Sequence, residues 1–132
     1  MMNNMFIEGK SKFGYDETVE VLSKAITDGG WGIQHTHNLQ GQMSKKGLEV
    51  LPAMVIELCK PEYAYKLLSK DDTRIITTMM PCRLSIYEKS DGKTYVSRMN
   101  NGLMAKEIGG IVEEVMGGAY QDVEKFLQTV LE

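Results

Sequence analysis

Cys59 and Cys82 are the only cysteines in this 132-residue chain, and each stands beside a proline: Leu58-Cys59-Lys60-Pro61 and Met80-Pro81-Cys82. Thiolates are good nucleophiles and good ligands for soft metals, so a pair of them could carry redox chemistry or hold such a metal. Glu57, two positions before Cys59, shares its face of a strand and would add a carboxylate. The competing reading is packing alone, because cysteine is often a small buried hydrophobe and the C-x-x-C spacing of thioredoxin-like sites is absent. His35 and His37 occupy alternate strand positions and so point the same way, as two metal ligands would; a third ligand would have to come from Glu57 or a cysteine. Two ordinary, partly exposed histidines are the alternative. The candidate ligand-binding residues are therefore Cys59, Cys82, Glu57, Pro61 and Pro81, and the candidate metal ligands are His35 and His37.

Other chemistries lack their signatures. Neither G-x-G-x-x-G nor G-x-x-x-x-G-K-[ST] occurs, and Gly29-Gly30-Trp31-Gly32 follows a helix and precedes a strand, the reverse of a phosphate-cradling loop. No G-x-S-x-G elbow is present. No cofactor is identified. Arg83 and Arg98 on a hairpin could border a small anion, though solvated cross-strand charges are the simpler reading. The ten methionines, among them Met1, Met2, Met5 and Met79-Met80, fit soft core filling better than copper binding.

A net charge of −3 disfavours broad binding to nucleic-acid phosphates. No apolar run approaches the roughly 20 residues of a membrane-spanning helix. The start has neither a basic region nor a long apolar stretch, and two cysteines do not make a disulfide framework, so the expected compartment is the cytoplasm.

The elements that must position these residues follow from the hydrophobic pattern. Positions 6–13 read as a first strand, and Asp16 as the cap of a helix whose Val19, Leu22, Ala25 and Ile26 form one stripe, ended by Gly29-Gly30. Trp31, Ile33, His35 and His37 then share one face of a second strand. Asn38 caps a short helix closed by Gly47, and Pro52 introduces an almost wholly apolar strand from Ala53 to Cys59. Pro61 opens a helix with Ala64, Leu67 and Leu68 inward, and Ile75 to Met80 is expected to be extended. Cys82, Leu84 and Ile86 alternate with polar residues, and the Asp91-Gly92 turn returns Tyr95 to Met99 as the partner strand. A long C-terminal helix carries Ala119, Tyr120, Val123, Phe126, Leu127, Val130 and Leu131 on one stripe, with a break expected at Gly109-Gly110 or Gly117-Gly118. The expected fold is α+β, a mostly antiparallel, curved sheet of about five strands with the first and C-terminal helices on one face, in a single domain over residues 1–132. If the two cysteine-bearing strands are antiparallel neighbours, both thiols lie at one end of the sheet.

The stretch Val55-Ile56-Glu57-Leu58-Cys59-Lys60-Pro61, then Ala64 and Leu67, Met80-Pro81-Cys82-Arg83-Leu84-Ser85-Ile86-Tyr87-Glu88 and the Asp91-Gly92 turn resemble the domain-of-unknown-function 302 family. The resemblance spans nearly the whole chain. It implies a small α+β domain with a TATA-binding-protein-like arrangement, usually homodimeric, and no established activity. Lys60 departs from the asparagine common in the family between Cys and Pro; lysine has no acceptor with which to cap the helix at Pro61.

Three functions stand beside one another at this point. The leading one is a cytoplasmic homodimeric ligand-binding or accessory protein with a small-molecule pocket near the two proline-flanked cysteines. The others are a thiol/redox or metal-dependent enzyme, and a purely structural interaction module.

Overall fold

The computed structural model describes residues 4–132; Met1 and Met2 lie outside the described residues. Five strands form one fully antiparallel sheet in the order β1-β5-β4-β3-β2: β1 (Phe6–Lys10), β2 (Gly32–Asn38), β3 (Ala53–Cys59), β4 (Cys82–Glu88) and β5 (Thr94–Met99). Helices α1 (Tyr15–Asp28) and α5 (Gly110–Leu127) cover one face. Between these elements run α2 (Leu39–Ser44), α3 (Pro61–Leu68), a 3₁₀ segment (Asp71–Met79) and α4 (Asn101–Ile108). The α+β architecture and the first-and-last-helix arrangement are those expected from the sequence.

The core is built by alternation. Ile56 and Leu58 of β3, Leu84 and Ile86 of β4 and Val96 of β5 are fully buried, and they meet Leu22 and Ile26 of α1 and Val123, Phe126 and Leu127 of α5. Burying each such side chain is worth about 1.5–3 kcal/mol, which fixes the register, because a one-residue slip would expose the set. The opposite face carries Tyr87 and Tyr95, with stacked rings 6.4 Å apart, and Glu8, which accepts hydrogen bonds from Tyr87 and Lys89. A second cluster, formed by Leu67, Ala105, Val112, Val115 and Met116, lies where α3, α4 and the first half of α5 meet.

Several elements differ from their sequence-based expectation. The strand β1 stops at Lys10; Ser11 makes only an isolated bridge to Leu131. The cap of α1 is Gly14, with no side-chain bond, and Asp16 falls inside the first turn, where its carboxylate faces the positive end of the helix dipole. Residues 71–79 are 3₁₀ rather than extended, because Thr73 Oγ1 donates to the Leu67 carbonyl and Arg74 to that of Leu68, tying the segment back onto the end of α3. Leu68 is exposed and Tyr63 packs inward in its place. The glycine break falls at Gly109-Gly110, with φ of 76° and 62°, while α5 runs unbroken through Gly117-Gly118. Gly118 packs closely against α3 instead: a Cβ there would come 3.1 Å from Tyr63 Oη.

The most consequential difference lies in β2. Ile33 pairs with Leu58 and His35 with Glu57, so Gln34 is an extra residue, a β-bulge. Ile33 therefore packs toward the core while His35 and His37 turn to the open face with Glu57. The four odd positions do not share a face. Asn38 caps α2 as expected, its Oδ1 accepting from the Gly41 N–H at 3.0 Å.

Candidate functional site

Strands β3 and β4 are antiparallel neighbours, with Leu58 opposite Cys82, so Cys59 at the end of one and Cys82 at the start of the other come to the same end of the sheet. Both are free thiols. They border a cavity of about 50 Å³ at the junction of the two hydrophobic clusters. Trp31 and Leu58 close it on the sheet side, Tyr63 and Leu67 of α3 and Val115 and Met116 of α5 on the helical side, and Met79, Met80 and Pro81 along the approach to β4. Trp31 is held in place by Tyr63 and Phe126, whose rings meet it edge-on at 5.9 and 6.1 Å, and by its Nε1–H, which donates to Asp122.

Polar groups in the wall are few. Lys60 places its ammonium 5.3 Å from the centre of the Tyr63 ring. Asn101, the first residue of α4, contributes a buried Oδ1 with no hydrogen-bond partner. Burial pushes the Cys82 thiol up to about 11, with repulsion from Cys59 adding to it, and burial also raises Cys59. A raised pKa keeps a thiol protonated at neutral pH and makes it a poor nucleophile.

The remaining candidates go elsewhere. Pro61 starts α3, where its missing N–H costs nothing, and does not line the cavity. Glu57 projects onto the open face of the sheet, where His37 Nε2–H donates to its Oε2 at 3.1 Å and Arg83 Nε lies 3.5 Å away. His35 and His37 sit ring to ring, 4.4 Å apart at 76°. Among the described residues, no three His, Cys, Asp or Glu side chains gather as a zinc site would require. Arg83 and Arg98 are on opposite faces: Arg98 is buried against α5, making a bidentate pair with Glu124 at 2.7 and 2.8 Å. On opposite faces of the sheet, the two guanidinium groups cannot share one anion.

A family model described as "Domain of unknown function DUF302" matches residues 7–132. The chain belongs to the DUF302 family. A solved structure, the "uncharacterized conserved protein DUF302 from Bacillus stearothermophilus", superposes with a TM-score of 0.83 over 95% of this chain and 97% of the other, at 19% identity. At that identity the likeness is one of fold. No curated protein matches the chain.

Sequence reasoning did not anticipate the rest of this DUF302 cavity. Met79 and Met80 read better as core filling than as copper ligands, Tyr63 lies one helical turn beyond Cys59, and Asn101 and Met116 reach the thiols from segments far away in the chain. Asn101 follows Asn100, whose side chain caps α4 by accepting from the Leu103 N–H, and that local role was the only signal available for either residue. No helix among the described residues is long and apolar enough to cross a membrane.

Proposed function

We propose that this DUF302 protein is a cytoplasmic homodimeric accessory domain, folded as one TATA-binding-protein-like unit, that binds a small ligand in the cavity beside Cys59 and Cys82. The observation that carries the reading is the cavity itself: an unfilled space between two hydrophobic clusters that two free thiols and an unpartnered carbonyl oxygen border. Buried polar atoms are ordinarily paired, so an orphan acceptor beside a void is where a bound species would bring a donor or a positive charge. Cysteines packed only as hydrophobes would not call for that void. Thiol catalysis is the weaker reading, since burial raises both thiols rather than lowering either.

Homodimerisation fits a small domain that leaves large apolar side chains such as Ile75, Leu48 and Leu51 exposed. Native mass spectrometry of protein purified from its own source, with elemental analysis of the same sample, tests both parts. The expected result is a dimer carrying a bound species that Cys59→Ala reduces. A monomer of bare polypeptide mass at high micromolar concentration would refute the proposal.

A further inference from the structure

The cavity wall is rich in one element. Cys59, Met79, Met80, Cys82 and Met116 all border it, five sulfur-bearing side chains brought by the end of β3, the approach to β4 and the middle of α5. No carboxylate and no imidazole lines it, and the indole N–H of Trp31 is already engaged by Asp122. We propose that this cavity holds a single Cu(I) ion, ligated by Cys59 and Cys82 with thioether support from Met79, Met80 and Met116.

Donor type decides the metal. Thiolate and thioether sulfur select Cu(I), whereas calcium and magnesium need oxygen donors, which this wall almost lacks. Structural zinc needs four Cys, His or carboxylate ligands, and among the described residues no group of even three is assembled. Cu(I) is satisfied by two or three sulfurs. Size agrees: about 50 Å³ suits a dehydrated ion, whereas a cavity that takes up benzene measures about 150 Å³. Methionine side chains acting only as gap fillers would close the gap, since three rotatable bonds let each adapt to the space at hand. Here the gap persists in a wall that holds five sulfur-bearing side chains.

Binding is ligand exchange without redox change. Two Cu–S bonds form, the two thiol protons pass to solvent, and copper remains Cu(I). The resulting bis-thiolate centre carries one negative charge, which the Lys60 ammonium in the cavity wall offsets. The inference rests on the ligand-binding reading above and specifies its occupant.

The test is anaerobic titration of the full chain with the Cu(I)–bicinchoninate complex, followed by X-ray absorption. One Cu(I) per chain is expected, with a sulfur-only shell. Cys59→Ser and Cys82→Ser should each weaken binding by about 100-fold, and the volume-conserving Met116→Leu by about 10-fold, within the range of losses typical of metal-site support. His35→Ala and His37→Ala should leave it unchanged. Should Cys82→Ser fail to fold by circular dichroism, Cys59→Ser and Met116→Leu still decide the matter. Failure to compete with bicinchoninate, a nitrogen or oxygen shell, or undiminished affinity in Cys59→Ser would overturn the assignment. Protein that leaves its source with an organic molecule in the cavity and ignores Cu(I) would also overturn it, while leaving the ligand-binding reading intact.

Discussion

Cys82 faces Leu58, not Cys59, across the β3–β4 ladder, so the two thiols are diagonal neighbours on opposite sides of the pleat that nevertheless border one cavity. A disulfide requires Cβ atoms about 3.5–4.5 Å apart and directed at one another. Diagonal neighbours of opposite pleat do not direct their Cβ atoms at one another, whereas an ion held between the two sulfurs asks for no direct S–S contact. Mild oxidation with diamide is therefore expected to leave the native thiols unbridged and to join them readily in urea. Mass spectrometry for the loss of two hydrogens distinguishes the states, and rapid native bridging would contradict the register.

Alkaline pH should act on stability through Cys82 and Tyr87. The Cys82 thiol is raised from 9.0 to about 11, chiefly by burial, and Tyr87 from 10.0 to about 12, by burial and then by its bond to Glu8. A group raised in the folded state binds its proton more tightly there, so its contribution is complete below the unfolded pKa and disappears as pH climbs through the folded one. Stability should decline from about pH 9 toward 12. Urea midpoints at pH 8 and 10.5 give the comparison, and Cys82→Ala should flatten the lower part of the decline.

The two glycines that end α1 should fail for different reasons when replaced by alanine. Gly29 has an ordinary φ of −81°, but a Cβ there would lie 2.3 Å from Cε1 of Phe126. Overpacking of this kind costs about 1–3 kcal/mol. Gly30 has open space around it but a φ of 85°, and alanine in that conformation costs about 1–2 kcal/mol. Phe126→Leu in the Gly29→Ala background should restore part of the loss; in the Gly30→Ala background it should restore none.

Arg98 offers a cleaner measurement of a buried charge. Its side chain is 8% exposed and its bidentate partner Glu124 30%. Removing one member strands the other, at about 3–5 kcal/mol. Glu124→Ala should show that loss in chemical denaturation, and Arg98→Met combined with Glu124→Leu should recover much of it. Equal instability of the single and double variants would mean that packing, not charge, dominates there.

Much of the fold was legible because its signals are local. The alternation of Cys82, Leu84 and Ile86, the Asp91-Gly92 turn and the stripe through Val123, Phe126 and Leu127 each follow from the period of one element, and each is present. The 3₁₀ segment was not legible, because Ile75, Ile76, Thr77 and Thr78 favour strands, while the bonds from Thr73 and Arg74 to the carbonyls of α3 that override this preference depend on tertiary placement. For the site, the common end of the two cysteines followed from antiparallel pairing. Glu57 did not join them: although it shares the pleat side of Cys59, it is engaged by His37 and Arg83 on the open face and does not line the cavity. Asn101 and Met116 left no trace in any short window, because only the packing of α4 and α5 against α3 brings them near the thiols.

Gln34 acts on the sheet as an inserted letter acts on a reading frame. Ile33 before it is read toward hydrocarbon, and His35 and His37 after it toward water, so one uncharged residue decides which environment receives the two imidazoles. Excising it would leave Ile33 opposite Leu58, His35 opposite Glu57 and both rings in water. Pairing Gln34 regularly in the ladder would instead restore strict alternation from Ile33 and drive His35 and His37 under the helices, exchanging two water-facing rings for two that must shed their hydration.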